Sequence, residues 1–267
     1  SLHCDLPDSW TKFLSTKAGS VMTFMATYMN SSLYAGSFDA LSALMEDTMD
    51  AGVLLRKMPV ESLIDCSAFA CIDHILVQWM VDRVINEDMD TRLDGQSIPE
   101  LCAMRSHLHF GSLFADAYGV VASAYQLVSG AYYTPTTGVN RIADKYVREH
   151  FKGDMSYRKF YYYFDRLQNP AAMEALRDFV ENLYNEVYLR NICVNWSREL
   201  EDASGETTLD RQIAFYDKHV AGAKDRLVVI ISDAMRYEVG YALYEKLCAD
   251  EKSTASISSM IATLPSF

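Results

Sequence analysis

Leu227-Val228-Val229-Ile230-Ile231-Ser232-Asp233-Ala234-Met235-Arg236-Tyr237-Glu238 is where the chain changes character. Its apolar run of Leu, Val and Ile ends abruptly in polar residues, the pattern of a short strand buried on both faces of a parallel sheet. From Met235 onward apolar residues return at helical spacing through Val239, Leu243 and Leu247, and 255–262 reads as a second strand. Strand, helix, strand is the opening of an α/β domain. A two-stranded sheet cannot bury itself, so the remaining strands are expected beyond Phe267 or from a partner chain.

Upstream of this point the apolar residues follow helical spacing almost throughout. Helices are predicted over 10–29, 38–57, 61–85, 98–127 and 171–200, and a further one from Leu209 through Ile213, Tyr216 and Val220, with Gly222 placed as a left-handed cap. In 171–200 the stripe Leu176, Val180, Leu183, Tyr184, Val187, Tyr188 is clearest, and Asn169-Pro170 supplies a cap and a first-turn proline. Polar breaks at 30–32, 86–95 and 130–138 separate the helices. The expected fold class is therefore mainly α: a multi-helix region followed by the first β-α-β elements of an incomplete α/β domain. The expected division is a helical lobe at 1–137, a second helical segment at 138–222 and the start of the α/β domain at 223–267.

Half of the 267 residues are apolar, enough for a sizeable core. The net charge of -12 excludes a surface that is basic throughout, and with it the simplest mode of nucleic-acid binding. Cys4, Cys66, Cys71, Cys102, Cys193 and Cys248 form no C-x-x-C pair, so they are read as reduced thiols of a cytoplasmic protein, with Cys66 and Cys71 buried in a helix. No apolar run reaches the ~18 residues of a membrane span, and no signal peptide is recognised. The chain opens Ser1-Leu2-His3-Cys4 without Met, which is read as an internal start.

Ligand sites of open α/β sheets lie at the C-terminal ends of strands, where Asp233 is expected. A carboxylate there either binds a divalent cation through oxygen or caps the helix that follows. Arg236 departs from the usual capping box, which favours the metal reading. No glycine-rich turn follows the strand, which disfavours a nucleotide-binding Rossmann domain.

The stretch Ile231-Ser232-Asp233-Ala234-Met235-Arg236-Tyr237-Glu238 resembles the signature of the PglZ family, alkaline-phosphatase-superfamily proteins of BREX phage-defence systems. The ending Met260-Ile261-Ala262-Thr263-Leu264-Pro265-Ser266-Phe267 resembles the family segment that leads into a threonine. Met155-Ser156-Tyr157-Arg158-Lys159-Phe160 and the Gln212, Phe215, Tyr216 run resemble type A members more weakly, and Met235 stands where leucine is commoner. The resemblance implies a fragment of a metal-dependent phosphoesterase, phosphatase or nuclease-like. A divalent metal (zinc, manganese or magnesium) would be held by the whole protein and only loosely by this piece. Asp233 matches the first metal ligand, and the hydroxyl nucleophile is expected just after Phe267, so this stretch alone would not catalyse. Arg236 and Glu238 belong to the signature, facing a phosphate, holding Asp233, or forming a structural ion pair; Tyr237 is expected to pack against the sheet. Implied partners are other phage-defence proteins and a phosphoester or nucleic-acid substrate, with no membrane. The competing reading is a helical scaffold that docks other BREX components, carrying a non-catalytic phosphatase fold.

Three other patterns carry less. Lys145, Arg148, Lys152, Arg158 and Lys159 alternate with tyrosines, yet Asp144, Glu149, Asp154 and Asp165 interrupt them, the composition of an ordinary helix surface. His107 and His109, two apart, do not share a helical face. Met22, Met25, Met29, Met45, Met49 and Met58 suggest adaptable core or an interaction surface.

Overall fold

A computed structural model of the chain describes residues 7–203, 207–233 and 235–261. Helices dominate: α1 (Ala18–Met29), α2 (Ala35–Thr48), α3 (Ala51–Leu55), α4 (Ala70–Ile85), α5 (Ile98–Ser106), α6 (Ala115–Gly130), α7 (Val139–Lys145), α8 (Phe151–Phe164), α9 (Glu174–Asn182), α10 (Arg190–Asp202) and α11 (Tyr237–Ala249). Contacts divide the chain into two units, Ser1–Ser129 with Lys159–Val180, and Gly130–Arg158 with Glu181–Phe267.

The first unit is built on apolar faces of α4, α5, α6 and the end of α8. Ile72, Leu76, Met80, Leu101, Val121 and Phe160 are among its buried side chains. All four long predicted helices of this unit are broken. The region 10–29 forms a 3-10 turn, Asp8–Phe13, and α1, and 38–57 forms α2 and α3 with Asp50 left-handed between them. The other two break for local reasons. The region 61–85 is helical only as a 3-10 turn, Val60–Ser62, and as α4. Between them the carbonyls of Ile64 and Cys66 accept hydrogen bonds from Arg105 Nη1 at 2.8 and 2.7 Å. Arg105 is itself fully buried against Asp73 (Nη2 to Oδ1, 2.8 Å), and Tyr118 donates to the same carboxylate. A buried charge network thus fixes the non-helical turn before α4, and Cys66 lies in that turn while Cys71 lies in the helix. The region 98–127 is interrupted by a 3-10 turn, His109–Leu113. Gly111 packs so closely on the backbone of Arg105 and Ser106 that a Cβ would lie 2.4 Å from the Ser106 carbonyl, so the chain can double back only at glycine. At the start of α5 Ser97 and Glu100 form a capping box, with Pro99 in the first turn.

The second unit contains α7, the first turns of α8, α10 and α11. The predicted helix 171–200 runs as α9, a π-helical stretch Leu183–Leu189 and α10, entered through a 3-10 turn that starts at Pro170; the Asn169 side chain makes no cap bond. A second π-helical stretch, Tyr146–His150, joins α7 to α8. From α10, Asn195 Oδ1 accepts from Tyr133 Oη (2.6 Å) and Thr136 N (2.7 Å), and Glu199 Oε2 accepts from Gly138 N (2.7 Å). These bonds satisfy the backbone of the polar break at 130–138, which explains two buried polar residues on a helix face.

Two local expectations are corrected. Gly222 is not left-handed: the only positive-φ glycines among the described residues are Gly95 and Gly138. A 3-10 turn, Gln212–Ala214, leads to a π-helical turn, Tyr216–Val220, closed by Ala221 N on Tyr216 O (2.9 Å), and that bond makes a left-handed cap unnecessary. The second concerns the strands. Helix α11 forms as expected, but 227–231 has no ladder partner among the described residues, and its side chains stand 43% to 89% exposed. A central strand needs neighbours on both edges and covers on both faces. In 255–262, Ile261 makes a single parallel bridge to Arg211, through Gln212 N to Ile261 O (3.0 Å) and Ile261 N to Asp210 O (2.7 Å). Ala262 lies outside the described residues.

Candidate functional site: the Asp233 turn and the start of α11

Asp233 occupies an exposed turn directly ahead of α11. Arg236, in extended conformation (φ -76°, ψ 159°), is the residue from which the helix starts, and Glu238 lies in the first helical turn. Glu238 is fully buried. Its Oε1 lies 2.9 Å from Arg236 Nη2 and 3.8 Å from Arg158 Nε of α8. Neither carboxylate oxygen has a well-aligned hydrogen bond, so ion pairing and the positive end of α11 carry the charge. Burial works against the charge of Arg236, but Glu238, Tyr184 and Asp154 outweigh it and push the guanidinium pKa up.

Tyrosines from both π-helical stretches close on the same place. Asp154 accepts hydrogen bonds from Tyr146 and from Tyr184 (2.9 Å), and Tyr188 donates to the His150 carbonyl. Burial, reinforced by Asp154, pushes all three phenols up, so they remain neutral donors. Tyr157 stacks on Tyr184 with ring centroids 3.7 Å apart. The Tyr188 ring fits against α8 because residue 153 is glycine; a Cβ there would lie 2.6 Å from the ring. π-Helical turns recur at functional sites, and here two of them aim side chains at the residues that hold Arg236.

Tyr237 packs not against a sheet but against helices, edge-on to Phe151 (5.3 Å, 84°) and near Tyr146. It also lines an apolar cavity of about 270 Å³ with Ile142, Trp196 and Met260. Of the predicted site residues, Arg236 and Glu238 come together, and Asp233 stands on the exposed turn beside them in sequence. The expected position of the nucleophile, after Phe267, lies outside the described residues. Asp154 and Arg158, read from the sequence as part of an ordinary helix surface, face inward instead, and their i, i+4 spacing on α8 places them on one face. Arg158 faces Glu238, and Arg148 and Arg166 pair with Asp144 (3.0 Å) and Asp116 (3.2 Å), so the basic and aromatic stretch is committed to internal pairs at these arginines. His109 pairs with Asp39 at 2.5 Å.

A divalent cation needs several converging donors. Among the described residues no three His, Cys, Asp or Glu side chains are arranged to hold one. Asp233 is a single candidate donor, and the described residues do not make a metal site by themselves. Among them, too, no helix is long and apolar enough to cross a membrane.

The family model for the BREX system PglZ alkaline phosphatase-like domain matches residues 215–267, the stretch that contains the Asp233 turn, Arg236, Glu238 and α11. This stretch is similar to the PglZ domain. Across its whole length the chain is 29% identical to the alkaline phosphatase-like protein PglZ of Bacillus cereus (strain H3081.97), covering 32% of that protein. It is 24% identical to the alkaline phosphatase-like protein BrxZ of Escherichia coli O9:H4 (strain HS) over 93% of the chain and 31% of that relative. The chain thus spans about a third of the length of these curated relatives. No solved structure matches it significantly.

Proposed function

We propose that the whole protein is a metal-dependent phosphoesterase of a bacterial phage-defence system, acting in the cytoplasm as a phosphatase or nuclease, and that this chain supplies its helical region and the opening of its catalytic domain. The observation that carries the reading is the match of residues 215–267 to the PglZ domain, a stretch in which the exposed Asp233 turn leads directly into Arg236, its buried partner Glu238 and α11. In this reading Asp233 would give one ligand to a zinc, manganese or magnesium ion, which when bound would supply Lewis-acid chemistry, while Arg236 and Glu238 hold the turn. The remaining ligands and a hydroxyl nucleophile come from beyond Phe267. The stretch 227–231 becomes a central strand and 255–262 its neighbour once other strands flank them, and the chain divides into 1–137, 138–222 and 223–267.

The test is hydrolysis of p-nitrophenyl phosphate and bis-p-nitrophenyl phosphate by the full-length protein with zinc, manganese or magnesium. Asp233→Ala is expected to lower the rate by about 100-fold or more, as removal of a key electrostatic group does, with the melting temperature kept. A metal-dependent activity that survives this change would remove Asp233 from the site.

A second reading is a helical scaffold that docks other components of the defence system, motivated by the helices that make up most of the described residues. It predicts no hydrolysis by the full-length protein with any of the three metals.

A further inference from the structure

Helix α1, Ala-Gly-Ser-Val-Met-Thr-Phe-Met-Ala-Thr-Tyr-Met, contains no charged residue, and none of its side chains is buried. A helix with no charged face ordinarily buries part of its surface, because leaving apolar side chains in water forfeits about 25 cal/mol for each Å² of apolar area. Val21, Met22 and Phe24 stand 53%, 55% and 65% exposed, and on α2 Leu41 and Leu44 stand 41% and 61% exposed. Between α1, α2 and the 65–69 turn runs a groove of about 440 Å³ whose wall is mostly apolar, with Met22, Met25, Met29 and Met45 along it. Four unbranched, polarisable side chains make a surface that re-shapes around an apolar helix face.

The charges around the groove select among occupants. Asp65 stands in its wall. Across Ser42, which lines both depressions, lies a second hollow with Asp39, Glu46, Asp47 and Asp50, where Arg56 is the one basic residue. An apolar floor between acidic borders fits an amphipathic helix with apolar anchors at i, i+3 or i+4 and i+7 and Lys or Arg on its flanks. It opposes a second copy of this chain, whose net charge is -12 and whose groove carries the same acidic border, and it opposes an anionic lipid surface.

We propose that the methionine-lined groove between α1 and α2 is a docking site for a cationic amphipathic helix of a partner protein. This surface is argued without reference to Asp233, so it stands or falls separately from the phosphoesterase reading.

The probe is an amidated, fluorescein-labelled helical peptide of about five turns with Leu and Phe anchors at i, i+4, i+7 and i+11 and Lys on both flanks. It is titrated into the full-length protein labelled with ¹³C-methyl methionine. Saturable binding is expected, with resonance shifts at Met22, Met25 and Met45. Met22→Glu and Leu41→Glu change exposed positions and should each weaken binding by about ten-fold or more without lowering the melting temperature. Asp47→Lys, also exposed, should weaken it several-fold and flatten its dependence on salt. The same peptide with Glu for Lys should not bind. Equal binding by Met22→Glu and Leu41→Glu, equal binding of the Glu peptide, or unmoved groove methyls at saturation would overturn the proposal. So would methionine methyls already shielded in the unliganded full-length protein, which would make another segment of its own chain the occupant.

Discussion

At Glu238 a buried carboxylate faces two guanidinium groups, and they do not contribute equally. Arg236 approaches to 2.9 Å and Arg158 to 3.8 Å, with side chains 57% and 35% exposed. Breaking a fully buried pair costs about 3–5 kcal/mol, and the exposure of Arg236 reduces that here to roughly 1–2 kcal/mol for Arg236→Met, with less for Arg158→Met. Both should show as lower urea midpoints. Glu238→Gln leaves two cations that water can still reach, so the double variant with Arg236→Met should lose less than the sum of the single changes. Strict additivity would mean that the pair does not interact. This residue-scale assignment was half legible beforehand: the spacing of Arg236 and Glu238 permitted an ion pair, but nothing local to 231–238 pointed to Arg158, about eighty positions away.

Among the elements, α8 shows how one residue sets the packing of two helices. Gly153 lies inside the helix, where alanine is ordinarily better by about 1 kcal/mol. A Cβ at this position would meet the Tyr188 ring at 2.6 Å, and overpacking costs about 1–3 kcal/mol. The second effect wins, so Gly153→Ala is expected to destabilise by roughly 1 kcal/mol in chemical denaturation. Gly153→Ala with Tyr188→Leu should recover part of that loss. A stabilised Gly153→Ala would mean that the ring moves aside freely. Helical spacing made the 171–200 helix readable, since buried positions recur along it, whereas α8 had no bounds of its own and fell only within the expected helical segment 138–222. The π-helical stretches were not readable: Tyr184 and Tyr188 of one of them reach Asp154 and the His150 carbonyl, partners 30 and 38 positions away that no local spacing indicates.

For the whole molecule, pH supplies the sharpest test. Burial, with Lys145 nearby, lowers the His150 pKa below its ordinary 6.5 despite the opposing effect of Glu149, and its buried Nε2 has no hydrogen-bond partner. The unfolded chain therefore takes up the proton first as pH falls through about 6.5. Stability from this group is complete above that pH and is lost as pH drops through the lower folded value. His150→Phe should flatten the decline in melting temperature between pH 7 and 5, and an unchanged slope would exclude His150 as its source. The sequence by itself determined that the chain is mainly helical, that its character changes at 227, and that 231–238 carries a PglZ signature, because apolar periodicity and local motifs are properties of neighbouring residues. Only the tertiary structure decided that Arg105 breaks one predicted helix by claiming the Ile64 and Cys66 carbonyls, that α1 leaves every side chain at least partly exposed, and that Arg158 reaches Glu238. These depend on distant residues meeting in space. For the same reason 227–231, apolar enough for a central strand, remains unpaired among the described residues: strand pairing is made by partners that its own sequence does not contain.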